Sequence, residues 1–98
     1  MRGRSEDAQI EERRLDAAAR MTRVSTARVR YYVRVGLVRP ARIEGADVFF
    51  GEPELARLRR IRRLQDDLGI NPAGVEVVMR LVDEIEALRE ALAERRGR

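Results

Sequence analysis

The chain has 98 residues, with 21 basic and 17 acidic side chains and a net charge of +4, and it contains neither Cys nor His. This excludes disulfides and thiolate metal sites and removes the commonest general base, so no enzyme, metal site or cofactor is expected. No stretch approaches the roughly 18 consecutive apolar residues of a membrane span, and Met1 to Arg14 lacks the apolar core of a secretory signal, so a cytoplasmic protein without a membrane partner is expected.

Residues 1–14 have no apolar periodicity and read as a mobile tail, with some helical character near Glu11 to Arg14. Leu15 to Met21 is strong helix-forming sequence, and Ala18 and Ala19 on one side of it permit close approach by a second helix. Thr22-Arg23-Val24 makes a tight connection. The next helix opens with the hydroxyls of Ser25-Thr26, suited to an N-cap, and closes at Gly36, which can take the left-handed conformation that ends a helix. Between them Val29, Tyr32 and Val33 make an apolar face, and Arg28, Arg30, Tyr31 and Arg34 lie on the opposite one. A basic helix alone is by default a solvated amphipathic helix. Two short helices joined by about three residues are a helix-turn-helix, whose second helix enters the major groove of DNA. Residues 15–42 hold seven Arg against Asp16 alone, a polyanion footprint, and every basic residue is Arg, the better bidentate partner for phosphate and guanine.

Leu37-Val38-Arg39-Pro40 is extended, because a residue before Pro is pushed out of the helical region. Ala41-Arg42-Ile43 and Val48-Phe49-Phe50 are strand-like pieces around the turn chemistry of Glu44-Gly45-Ala46-Asp47, which predicts a small hairpin, or wing. A third helix starts at Pro53 and runs to about Asp67, with Leu55, Leu58, Ile61, Leu64 and Leu68 as its buried stripe. Its arginines, five between residues 57 and 63, are by default a solvated face, and beside a helix-turn-helix one or two become candidates for phosphate contact. Gly69 ends this helix, and Asn71-Pro72 starts a fourth with an N-cap followed by Pro.

Residues 70–94 hold two Arg against six acids, so this last helix points to a different surface from the basic blocks. Val75, Met79 and Val82 would pack it on its own domain. Val78, Leu81, Ile85, Leu88 and Leu92 form a second stripe, an a/d seam of about two heptads. Nothing in the chain remains to cover Leu88 and Leu92, so a homodimer is expected in preference to a frayed, exposed helix. The predicted fold is mainly α: a mobile tail (1–14), a winged helix-turn-helix DNA-binding domain (15–70), a C-terminal helix for packing and dimerisation (71–95) and a basic tail (96–98).

Val24-Ser25, Val29-Arg30-Tyr31-Tyr32 and Gly36-Leu37-Val38-Arg39-Pro40 resemble the amino-terminal domain of MerR-type transcriptional regulators. So do Glu44-Gly45 in a wing, the Glu52 to Leu55 helix start and the run from Leu58 to Leu64, so that the resemblance covers roughly residues 15–82. It implies a homodimer that regulates transcription from a pseudo-palindromic site on double-stranded DNA, associated with the nucleoid when bound. The DNA contacts it implies are Thr26, Arg28, Arg30 and Tyr31 on the recognition helix, with Arg39 and Arg42 against phosphates at the base of the wing; Ser25 and Arg34 join the candidates from their places at the start and on the front of the same helix. Its dimer seam is Val78, Leu81, Ile85, Leu88 and Leu92.

Three departures stand out. Arg23 occupies a turn position that is usually Gly, which strains a left-handed turn or requires a different one. Val48 and Phe50 stand where the wing normally carries an Arg and a Tyr for phosphates. No effector domain follows, so a ligand-gated activator is not expected. Asp67 to Val75, with Val78 and Leu81 to Ile85, is similar to two small branches of the family, the heat-shock repressors (HspR-like) and the chaperone modulators (CbpM-like). The second implies an alternative: binding the J-domain of a DnaJ-type co-chaperone through Asp83, Glu84, Glu86 and Glu90, whose charge would suit a basic helix. Against it stands an Arg-rich recognition helix with Tyr31, which a J-domain binder would not need.

Overall fold

In the computed structural model, which describes residues 12–97, helix α1 (Leu15–Thr22) sets its alanines against the core: Ala18 and Ala19 are buried. Thr22 closes the helix with its buried hydroxyl, which donates to the Ala18 carbonyl at 2.8 Å. The turn that follows is left-handed, with Arg23 at φ 61° and ψ 35°, and the Val24 amide donates back to the Ala19 carbonyl at 3.1 Å. The usual glycine is thus replaced without a change of turn type. The non-glycine residue costs about 1–2 kcal/mol there, and the turn persists because it delivers Val24 into the core.

Helix α2 (Thr26–Arg34) starts as its sequence directs, with the Ser25 hydroxyl accepting from the Arg28 amide at 3.2 Å. Val29 and Tyr32 are buried on its inner face. It stops at Gly36, at φ +83°, where the Leu37 and Val38 amides both donate to the Tyr32 carbonyl.

The wing is the predicted hairpin. Strands β2 (Arg42–Glu44) and β3 (Asp47–Phe50) pair antiparallel, Arg42 opposite Phe49, Ile43 opposite Val48 and Glu44 opposite Asp47. Two residues connect them, and Gly45, at φ +58°, supplies the positive φ that such a tight turn needs at its first position.

The sheet has a third strand. Residues Arg13–Arg14, expected in a mobile tail, form β1 and pair antiparallel with Phe50 and Phe49, giving the order β1-β3-β2. The outer edge of β3 would otherwise present unpaired amides and carbonyls, and a two-residue strand is too short to show any apolar period. Residues 1–11 and Arg98 lie outside the described residues, and of the helical character expected from Glu11 to Arg14, Arg13 and Arg14 are strand instead.

Helix α3 (Glu52–Arg62) begins where the Glu54 carboxylate accepts from the Gly51 amide at 2.7 Å. Leu55, Leu58 and Ile61 are its fully buried stripe and Leu64 is half-buried, but Leu68, expected in the same stripe, lies past a widened last turn and is exposed. The expected continuous helix to Asp67 is modified: Arg63–Asp67 widens into a π-helical turn, with the Leu68 amide donating to the Arg63 carbonyl at 3.0 Å. Helix α4 (Pro72–Arg96) is capped by Asn71, which accepts from the Gly74 amide at 2.8 Å, and it extends one residue into the stretch expected as a basic tail.

Its first turns are anchored in the core by Val75 and Met79. Beyond them the attachment to α3 is ionic. Arg57 makes a bidentate contact to Asp83 at 2.6 and 3.0 Å, and Arg60 lies 3.8 Å from Glu86. The same Arg57 donates from Nε to the Leu37 carbonyl at 2.5 Å, so one side chain ties α3, α4 and the end of α2 together.

Candidate nucleic-acid interface

The outward face of α2 follows from its helical angle: with Val29 and Tyr32 turned inward, Thr26, Ala27, Arg30 and Arg34 are turned out, and all four are exposed. Tyr31 lies at the margin, half-buried, its ring edge-on to that of Tyr32 at 6.0 Å. Arg34 stands over the Tyr31 ring at 5.6 Å, which holds a guanidinium at the surface without neutralising it. Arg23 in the turn and Arg39 in the linker to the wing are exposed as well. Among the described residues, neither these two nor Arg30 has an ion pair. The surface around this helix therefore carries arginines that have no carboxylate partner among the described residues, with an exposed threonine on the same helix, which suits phosphates and base edges.

The other sequence candidates are placed differently. The Ser25 hydroxyl is occupied as the N-cap. Arg28, assigned by its spacing to the outward face, lies on the flank and turns to its own domain. Its Nε donates to the Tyr32 hydroxyl at 3.1 Å, its guanidinium is 3.4 Å from Asp66, and Gln65 accepts from both Arg28 and Tyr32. Burial works against the charge on Arg28, but the bonds to Tyr32 and Asp66 outweigh it, and its pKa lies above the ordinary arginine value. Burial also pushes the Tyr32 phenol up, against the opposing pull of Arg28.

Arg42 is likewise occupied. Glu12 pairs with its Nε at 3.0 Å, Glu44 pairs with the same guanidinium, and the group lies 4.0 Å over the Phe49 ring. Asp47 at the wing tip faces Arg14 at 3.8 Å. The wing therefore carries its own counter-charges. Of the two residues read at the wing's phosphate-binding positions, Phe50 is wholly buried and Val48 is half-buried on the same side of the strand, so both serve packing.

On α4 the second stripe is uncovered: Leu81, Ile85, Leu88 and Leu92 are 54, 48, 65 and 50 % exposed, while Val78 is half-buried. Of the four acids considered for a basic partner, Asp83 and Glu86 are turned to Arg57 and Arg60, and Glu84 and Glu90 remain at the surface without an ion pair among the described residues. Among those residues no helix is long and apolar enough to cross a membrane.

Glu12, Gln65 and Asp66 escaped the sequence reading. No local signal marks them, since each acts on a residue at least 30 positions away. Arg23 could have been added from the turn itself, as an arginine forced to the surface by a left-handed backbone.

Residues 6–96 match the family model for MerR HTH family regulatory proteins. A protein of Streptomyces coelicolor described as a heat shock protein, HspR, is 30 % identical over 80 residues, which is 82 % of this chain and 53 % of that protein. The chain spans about half the length of this curated relative.

Proposed function

The chain belongs to the MerR HTH family of regulatory proteins, and from that membership we propose that it binds double-stranded DNA as a homodimer on a pseudo-palindromic site and regulates transcription there. In this reading residues 15–70 form the DNA-binding unit and residues 71–95 the helix that joins the two copies. The observation that carries it is the row of free cations around α2: Arg23, Arg30, Arg34 and Arg39 are exposed, and no carboxylate pairs with any of them among the described residues. Helix α2 enters the major groove with Thr26, Arg30, Tyr31 and Arg34 toward the bases, while Arg23 and Arg39 meet phosphates on either side. The wing contributes shape more than charge, because its arginines are matched by Glu12, Glu44 and Asp47.

The uncovered seam Leu81–Ile85–Leu88–Leu92 supports the homodimer: four large aliphatic side chains in one helical row lose water only against another helix, and a second copy presents the same row. The alternative of a J-domain partner is less well supported, since α3 takes up two of the four acids it would use. The chaperone link itself is compatible with the likeness to a heat shock protein and would place chaperone genes among the targets.

The test is a binding titration over a salt series, with random duplex beside fragments from upstream of the protein's own gene. One fragment should bind at least about a thousandfold tighter than random duplex, with a steep salt dependence. Equal, weak binding to all duplexes would refute the regulator and direct attention to a J-domain pull-down.

A further inference from the structure

Arg28 lies in the first turn of the recognition helix, yet it is not a free cation like Arg30 beside it. Asp66 holds its guanidinium at 3.4 Å, and Tyr32 and Gln65 complete the grip. Both side chains of the ion pair remain partly exposed, at 34 and 43 %, so the pair is open to solvent and to any polyanion lying along α2. Asp66 and Gln65 belong to the π-helical turn after α3, and this is where that turn reaches the recognition helix. A carboxylate in this place offers Arg28 what a DNA phosphate would offer it, an anionic oxygen acceptor at hydrogen-bonding distance.

We propose that Asp66 is a built-in counter-ligand for Arg28, which withholds that arginine from arbitrary duplex and releases it to a phosphate only when the helix is seated in register. The inference rests on the DNA-binding reading above. On random duplex the contacts are loose and the intramolecular carboxylate, held at high effective concentration, keeps the guanidinium. On the cognate site a phosphate is fixed beside Arg28, and exchange of one anion for another becomes favourable. Asp66 thereby lowers affinity on both: random duplex is denied one phosphate contact, and on the cognate site that contact forms only after the ion pair is broken, so the number of phosphates engaged differs between the two complexes. Gln65 is a positioning residue: it accepts from both Arg28 and Tyr32 and keeps the guanidinium on the flank.

The experiment uses the full chain as wild type, Asp66→Asn, Arg28→Met and the double variant. Each is titrated with random duplex and with the tight-binding upstream fragment over a salt series. Asp66→Asn should bind random duplex several-fold tighter, with a log–log salt slope steeper by about 0.9 for each protomer engaged, the signature of one added phosphate contact. Its affinity for the cognate fragment should rise at least as much, since no ion pair has to be broken there, while the salt slope on that fragment, where Arg28 already meets a phosphate, stays unchanged. In the Arg28→Met background the same substitution should leave the slope for random duplex unchanged. Asp66→Ser, which also lacks the charge, should repeat the Asp66→Asn result.

An unchanged slope in Asp66→Asn overturns the proposal. So does an equal gain in the Arg28→Met background, since the effect would then be mere removal of a negative charge near DNA. These failures differ from failure of the regulator reading, in which the wild type itself prefers no duplex and the proposal falls with it.

Discussion

Arg57→Ala should be among the most damaging single substitutions outside the apolar core, and its magnitude can be worked from its contacts. The bidentate contact with Asp83 involves an aspartate whose side chain is 52 % exposed, so the pair itself contributes at most about 1 kcal/mol. The Nε bond to the Leu37 carbonyl is different. Leu37 is only 9 % exposed, and a hydrogen bond with a charged donor is worth about 1.5–3 kcal/mol. Arg57→Ala should therefore cost about 2–4 kcal/mol, a large part of the 5–15 kcal/mol typical of a whole domain. Asp83→Asn, which leaves the carbonyl bond in place, should cost no more than about 1 kcal/mol. Urea unfolding followed by circular dichroism at fixed protein concentration measures both. Equal losses in the two variants would refute the reasoning, because the ion pair rather than the carbonyl bond would then carry the energy.

Leu88→Glu combined with Leu92→Glu should convert dimer to monomer, because four charges would enter one two-fold seam; sedimentation showing an intact dimer would place the interface elsewhere. Arg23→Gly should raise stability by up to about 1 kcal/mol, since the left-handed strain removed slightly exceeds the extra chain entropy that glycine brings to the unfolded state; a loss in thermal melting would show that Arg23 is held there by a favourable contact. The raised Tyr32 pKa gives an alkaline prediction. The folded state keeps the phenol proton above the ordinary value of 10.0, where the unfolded chain has released it, so stability present below that pH is lost as pH rises through the folded pKa. Tyr32→Phe should flatten this alkaline decline in denaturation curves. Parallel curves for the two proteins would assign it to other groups.

How far the sequence disclosed the fold depends on what kind of force places each element. Apolar periodicity located α2 through α4, because burying Val29, Leu58 or Met79 requires spacings that only one secondary structure satisfies, while helix-forming composition located α1 and the turn residues Glu44 to Asp47 the wing. Capping chemistry fixed the starts at Ser25 and Asn71 for the same local reason. Strand β1 was invisible, since the need that creates it belongs to the edge of β3 and not to Arg13–Arg14 themselves. The candidate interface was read as a helix face, and what that reading could not show is that Arg28 and Arg42 hold anions of their own, Asp66, Glu12 and Glu44, which are chosen by tertiary contact.

The acids of α4 occupy a middle ground. Asp83 and Glu86 were grouped with Glu84 and Glu90 as one acidic surface, yet extending the inward stripe from Val75 and Met79 at helical spacing lands on 83 and 86. The inward face of α4 changes from apolar to acidic where the core ends and the arginines of α3 begin. Arg57 and Arg60 are three residues apart, as are Asp83 and Glu86, so the two pairs match in register. Helix α4 is thus held by burial at its root and by charge for one further turn, and in the proposed dimer only the part beyond Glu86 would depend wholly on the second copy.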